Sequence, residues 1–265
     1  MTEILVRKVK FEFPDELDDV FPGDDPIAET YRVAFSLTMP YLEPYLIRTY
    51  RSVLDQITDP ELAEDVRNFS AQEAQHFQNH RRVNKVIKSQ LGPDVAARIE
   101  AIEEQLDADY HRFNDDKSQR FNLGYAEGFE AMTCAMAMSM FEQAAAGEGL
   151  GSDGNFGPWQ QLWAWHAAEE IEHRTVAFGA YEHFHPSWAL RVAGALRAQI
   201  HFQRYIDRFQ RVLLPTQGEK ARPRIPTWLR TGKRRYFKTF LPNYNPGKLD
   251  VDPLVEMVLI PFTPA

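Results

Sequence analysis

Cysteine is nearly absent from this chain. Cys134 is the single one among 265 residues, so no intrachain disulfide can form and no cysteine-based zinc or iron–sulfur site is available. Long apolar runs are missing too. The most apolar stretch, Ala131 to Phe141, falls short of the roughly 18–20 residues of a membrane span and reads as a buried helix. Positive charge is in deficit, with a formal net charge of -8, which argues against a nucleic-acid binder and its basic footprint. The segment Met1 to Lys10 interleaves charged with apolar residues and lacks the apolar core of a signal peptide. Strand signals are nearly lacking. These absences predict an acidic, cytoplasmic, globular, all-α protein without a membrane span.

What is present is mostly helical punctuation. Val6 to Phe13 alternates and predicts a short extended segment, followed by a Pro/Asp-rich irregular stretch to Pro26. A first helix is expected from Ala28 to Gln56, broken or bent near Pro40 and Pro44. Thr58-Asp59-Pro60-Glu61 opens a second helix that runs to about Gln90, and Leu91-Gly92-Pro93-Asp94 stops it and starts a third, to about Lys117. A core helix is predicted from Asn122 to Ala146. The Gly-rich loop Ala146 to Pro158 comes next, then a helix from Trp159 to His183 and a long one from Ser187 to Leu214. The rest, with Trp228, Tyr236, Phe237 and Phe240, predicts an appendage packed on the bundle, and Lys233-Arg234-Arg235 reads as a solvated patch. One domain, 1–265, is expected: an arm (1–26), a helical bundle (27–185), and a long helix with appendage (186–265).

Two copies of Glu-x-x-His, Glu73 with His76 and Glu170 with His173, lie on separate predicted helices. At i and i+3 the two side chains share a helix face and can meet one ion. Carboxylate with imidazole suits iron, manganese or zinc. A four-helix, two-metal carboxylate site needs one more glutamate from each of two other helices. Glu43, among large apolar residues, and Glu130, at the entrance to the apolar run, occupy the required places in chain order. The alternative for both is a surface position at a helix bend or start, and Glu127 competes for the role of Glu130. Four glutamates would balance two divalent ions, whereas the same carboxylates without metal would repel one another in the core. His166 lies four residues before Glu170 and shares its stripe with His173. It predicts an asymmetric site, with a supporting or core histidine as the other reading. His80 and Glu169 are expected to back the site or line its pocket. Phe129, Met132, Met136, Tyr45 and Trp165 are candidates for an apolar cavity, or for ordinary core.

The pattern Glu43, Glu73-x-x-His76, Glu130, His166-x-x-x-Glu170-x-x-His173 resembles the ligand set of p-aminobenzoate N-oxygenase-type di-iron enzymes. Thr58 to Glu61, Gln72 to His76 and Trp165 to His173 resemble a bacterial family known as "predicted metal-dependent hydrolase", across about Ile27 to Asp252. The resemblance implies a ferritin-like four-helix bundle with additional helices. It also implies two metal ions, iron first and manganese or zinc otherwise, and a di-iron oxygenase-like oxidoreductase. That reading requires O2, an electron donor and a small organic substrate for N-oxygenation or hydroxylation. A two-metal hydrolase and a non-enzymatic ferritin-like iron-binding protein are the alternatives, and self-association as a homo-oligomer stays open.

Overall fold

The computed structural model describes residues 4–17, 20–21, 25–147, 157–226 and 229–263. Every regular element among the described residues is helical. The helices are α1 (Pro26–Arg51), α2 (Pro60–Gln90), α3 (Pro93–Asp116), α4 (Gln119–Ala145), α5 (Pro158–Glu172), α6 (Val176–Phe184), α7 (Trp188–Leu213), α8 (Leu229–Thr239) and α9 (Leu254–Leu259). Short 3-10 turns lie at Leu54–Gln56, Leu214–Gln217, Pro246–Lys248 and Ile260–Phe262. Among the described residues no helix is long and apolar enough to cross a membrane. Most of the Gly-rich loop, and Trp228, lie outside the described residues.

Helix starts follow their local chemistry. Asp25 and Asp59 cap α1 and α2, each accepting from the two backbone N–H groups after its proline, and the proline spares one otherwise orphaned donor. The expected break in α1 does not occur: the helix runs through Pro40 and Pro44. Proline lacks the N–H that would satisfy the carbonyl one turn earlier. At Pro40 that carbonyl belongs to Ser36, and Asn84 of α2 donates to it through Nδ2 at 2.8 Å. A side chain of the neighbouring helix thus replaces the missing backbone bond. Packing completes the repair, because α1 is buried around most of its circumference.

α1, α2, α4 and α5 form the bundle that matters for the site. α3 packs on α1, and α7 and α8 pack on α4. The α4–α7 contact is backbone against backbone. A Cβ on Gly128 would lie 2.2 Å from Ala195 Cα, and one on Gly194 would lie 2.3 Å from Gly124 O. Only glycine permits that approach.

The helix expected over Trp159 to His183 is two helices. α5 ends at Glu172, and turns over His173–Thr175 separate it from α6. Arg174 explains the break: its guanidinium donates to Ile171 O at 2.7 Å and to Pro246 O at 3.1 Å, taking up a carbonyl that a continuing helix would bond. The N-terminal stretch, expected as a short extended segment, carries no regular secondary structure over residues 4–14. Its backbone is bonded by α2 side chains: Gln72 donates to Leu5 O, and Asn79 bonds Val9 O and Phe11 N. Phe11 sits buried beside Trp165. The appendage packs as expected, with Tyr236 donating to Ala195 O at 3.1 Å.

Candidate metal centre

Seven side chains from four helices and one helix end converge in the bundle: Glu43 from α1, Glu73 and His76 from α2, Glu130 from α4, and His166, Glu170 and His173 at α5 and its end. Each is at most 5% exposed. They form two groups, Glu43 with His76 and His166, and Glu73 with Glu130, Glu170 and His173, the donor atoms in each lying within 4.8 Å of one another. Two glutamates reach both groups. Glu73 Oε1 lies 3.5 Å from His76 Nδ1 and 3.6 Å from His173 Nε2. Glu170 meets His166 Nε2 at 2.9 Å and His173 Nε2 at 3.5 Å. Two imidazoles fall in one group and one in the other.

The hydrogen bonds behind the histidines fix which nitrogen faces inward. Gln72 Nε2 donates to Leu5 O and to Glu172, so its Oε1 must accept, and His173 Nδ1 is the donor at 3.1 Å. His76 Nε2 donates to Glu169 Oε2 at 2.9 Å. Asn84 Nδ2 is spent on Ser36 O, so Asn84 Oδ1 accepts the Ser36 hydroxyl at 2.6 Å. Ser36 Oγ then accepts from His80 Nδ1 at 2.8 Å, and His80 Nε2 accepts from His166 Nδ1 at 2.8 Å. Burial, then His166 and His76, hold His80 well below its ordinary range, so it is neutral as this chain requires. The gap that Pro40 leaves in α1 thus orients an imidazole two helices away. His76 Nδ1, His166 Nε2 and His173 Nε2 are left pointing lone pairs at carboxylates.

Lone pairs facing carboxylates repel unless a cation or a proton lies between them. Without hydrogen-bond partners are Glu43 Oε1 and Oε2, Glu73 Oε1, Glu130 Oε1, Glu170 Oε2, His76 Nδ1 and His173 Nε2, all buried. Such orphans are costly in a core. Burial first, then the neighbouring glutamates, pushes the Glu43 carboxyl well above its ordinary range. Burial and then Glu170 push Glu73 and Glu130 up to about 8. Burial would raise Glu170 as well, but the neighbouring His166 and His173 hold it well below the ordinary range. Metal ions resolve the conflict for all the orphans together, and a mixed imidazole–carboxylate set fits a first-row divalent ion. The residues present fit the group.

A model of the family described as "predicted metal-dependent hydrolase" matches residues 5–250. The chain belongs to that family. No curated protein and no solved structure matches it. Membership corrects the sequence reading in one respect. The oxygenase and oxidoreductase assignment came from the likeness of ligand order to the N-oxygenases, and the family that covers nearly the whole chain is instead described as a predicted metal-dependent hydrolase, which matches the alternative reading. Ligand order follows the four-helix frame, which different chemistries share, and so could not decide the reaction.

Other expectations divide. Glu169 bonds His76 and His80 bonds His166, whereas Glu127 accepts from Arg191 at 3.3 Å, joining α4 to α7. Burial first raises Glu127 to about 7, against the pull of Arg191. Of the five candidate cavity residues, Met136 lines a cavity beside the site. Phe129, Met132, Tyr45 and Trp165 are packed core. Arg7 escaped sequence reading altogether. It is 3% exposed and donates to Glu169 at 3.0 Å and to Glu172 at 2.8 Å, clamping the carboxylates that hold His76 and Gln72. No motif announces an arginine so far from the site in sequence.

Proposed function

We propose that the chain is a hydrolase working through two metal ions held by Glu43, Glu73, His76, Glu130, His166, Glu170 and His173. The observation that carries this reading is the set of three imidazole lone pairs aimed into a buried ring of four glutamates, in a member of a metal-dependent hydrolase family. Iron, manganese and zinc all suit the donor set. Two such ions, when bound, lower the pKa of water and polarise the bond to be cleaved.

The protein's own residues do the rest. Glu73 and Glu170, which reach both groups, would hold the ions together with Glu43 and Glu130. Arg7, Glu169, Gln72 and the Asn84–Ser36–His80 chain keep each imidazole proton on the outer nitrogen. Such outer partners are worth about 10–100-fold in metal affinity. Burial keeps bulk water from the carboxylates, so their charge acts undiluted on whatever binds there.

The test is a panel of p-nitrophenyl esters, anilides and phosphates offered to protein of known metal content. Turnover is expected with the metal-loaded chain, lost on chelation and restored by zinc, manganese or ferrous ion. Protein holding about two ions per chain that cleaves nothing across the panel would overturn the reading.

A further inference from the structure

The site opens on a cavity of about 150 Å³ between α1, α4 and α5. Its inner wall includes His166 and Glu170 themselves, with Phe35, Thr133, Ala137 and Ala167. All six are buried. Arg32, Met136, Met140, Gln143 and Trp163 are half-buried and mark the solvent side. Thr133, Met136, Ala137 and Met140 recur at helical spacing on α4, so one face of that helix forms the length of the wall. From Thr133 to Gln143 it climbs about 15 Å at 1.5 Å per residue.

The wall is apolar nearly throughout. Its one cation, Arg32, is already bonded through Nη1 to both carboxylate oxygens of Glu29, at 2.7 and 2.9 Å. A phosphate or carboxylate entering here would lose water, and the wall's orphaned buried donor, the uncharged Trp163 Nε1, would not offset the loss of a charge's hydration. An apolar group gains by burial, and a cavity of this volume lined by apolar side chains accepts a benzene-sized ring. Two flexible methionines let the wall adapt to shape.

We propose that the molecule this site acts on carries an uncharged apolar arm, about one phenyl ring in size, that fills this cavity and sets the reacting bond against His166 and Glu170. The inference rests on the hydrolase reading for the reaction but not for the binding. In the reaction a water oxygen bonds to the acyl carbon of an ester or amide, the bond to the alcohol or amine breaks, and the leaving group departs with a proton from that water.

Binding and turnover are measured separately on the metal-loaded full chain. Ligand-observed NMR compares benzyl alcohol with methanol, which lacks the arm, and with benzoate, which charges it. Benzyl alcohol is expected to bind at least tenfold tighter than either, and Ala137→Phe, which fills the cavity, to weaken it at least tenfold. Should Ala137→Phe fail to fold, Met140→Phe obstructs the same cavity from its solvent side. Equal affinity for benzyl alcohol and methanol, or affinity unmoved by a folded cavity-filling variant, overturns the proposal. Tight benzyl alcohol binding with no turnover of the esters, anilides or phosphates supports the cavity while sinking the hydrolase reading. Turnover equal for methyl and phenyl esters, with no benzyl alcohol bound, does the reverse.

Discussion

Two polar clusters among the described residues of the bundle are built on opposite principles. In the first, Tyr110 and Tyr125 share a hydrogen bond at 3.2 Å, Tyr125 meets His201 Nδ1 at 2.8 Å, and His201 Nε2 reaches Asp109 at 3.2 Å. Tyr205 donates to the same carboxylate at 2.7 Å. Donors and acceptors match, and none of these atoms is left without a partner. The metal centre has the same residue chemistry, histidine and carboxylate, but four carboxylates and three lone pairs face one another with no donor between. A deficit of donors, rather than density of histidine and acid, separates a centre awaiting cations from a closed polar core.

The largest effect should come from removing what the deficit is for. Glu73→Ala, Glu170→Ala and His173→Ala are each expected to take metal content from about two ions per chain to less than one, by elemental analysis. The comparison is sharpened by the sign of the stability change in chelated protein. Glu73→Gln removes an unpaired buried charge site at nearly constant volume, so the metal-free melting temperature should hold or rise. Metal retained in all three alanine variants would refute the ligand assignment. A chelated Glu73→Gln that melts well below the parent would show that the centre is closed like the tyrosine cluster.

A second effect separates the clusters by pH. Glu73 and Glu130 titrate at about 8 in the folded chain, against about 4.3 for an ordinary glutamate. Between those values the folded metal-free form binds more protons than the unfolded one, so its stability falls as pH rises. Glu43, also raised, adds in the same direction. Glu170, held low, acts only toward acid. In the tyrosine cluster, burial would raise Asp109, but bonds from Tyr205 and His201 outweigh it and lower it. That cluster therefore weakens as pH falls through the acid range. Thermal melts of chelated protein should decline from pH 5 to pH 8, and metal-loaded protein should not, since bound ions have displaced the protons. A chelated protein equally stable at both ends would contradict the assigned burial of charge.

Much of this was readable from residues alone, for identifiable reasons. Glu73 with His76, and His166 with Glu170 and His173, could be grouped because helical spacing is fixed: i, i+3 and i+4 on one helix share a face whatever surrounds them. Glu43 and Glu130 stood out only by their apolar surroundings and their order in the chain. Helix starts were legible because Asp-Pro and Gly-Pro act locally. The continuity of α1 was not, because the group that repairs Pro40 is Asn84, far along the chain. The break after His173 depended on Arg174 finding Pro246 O, again a distant partner. Arg7 and the Ser36–Asn84 pair hold the site through tertiary contacts that leave no periodicity to read. Reaction type was illegible for another reason. Ligand order reports the frame, and the cavity that receives a substrate is made from alanines and methionines indistinguishable in sequence from core.

The smallest effect tests the closed cluster itself. Tyr125→Phe removes one hydroxyl, so His201 Nδ1 and the Tyr110 hydroxyl each lose a partner in a buried setting. The expected cost is about 1–2 kcal/mol, read as roughly 2–8 °C of melting temperature for a domain of this size, with metal content unchanged. A closed cluster loses stability and nothing else when one member goes, because each group there is spent on its neighbour. If Tyr125→Phe instead lowered metal content, the two clusters would be coupled through Tyr45, which stacks on Tyr110 at 4.8 Å from the same helix that carries Glu43. The donor deficit would then be a property of the whole bundle rather than of one site within it.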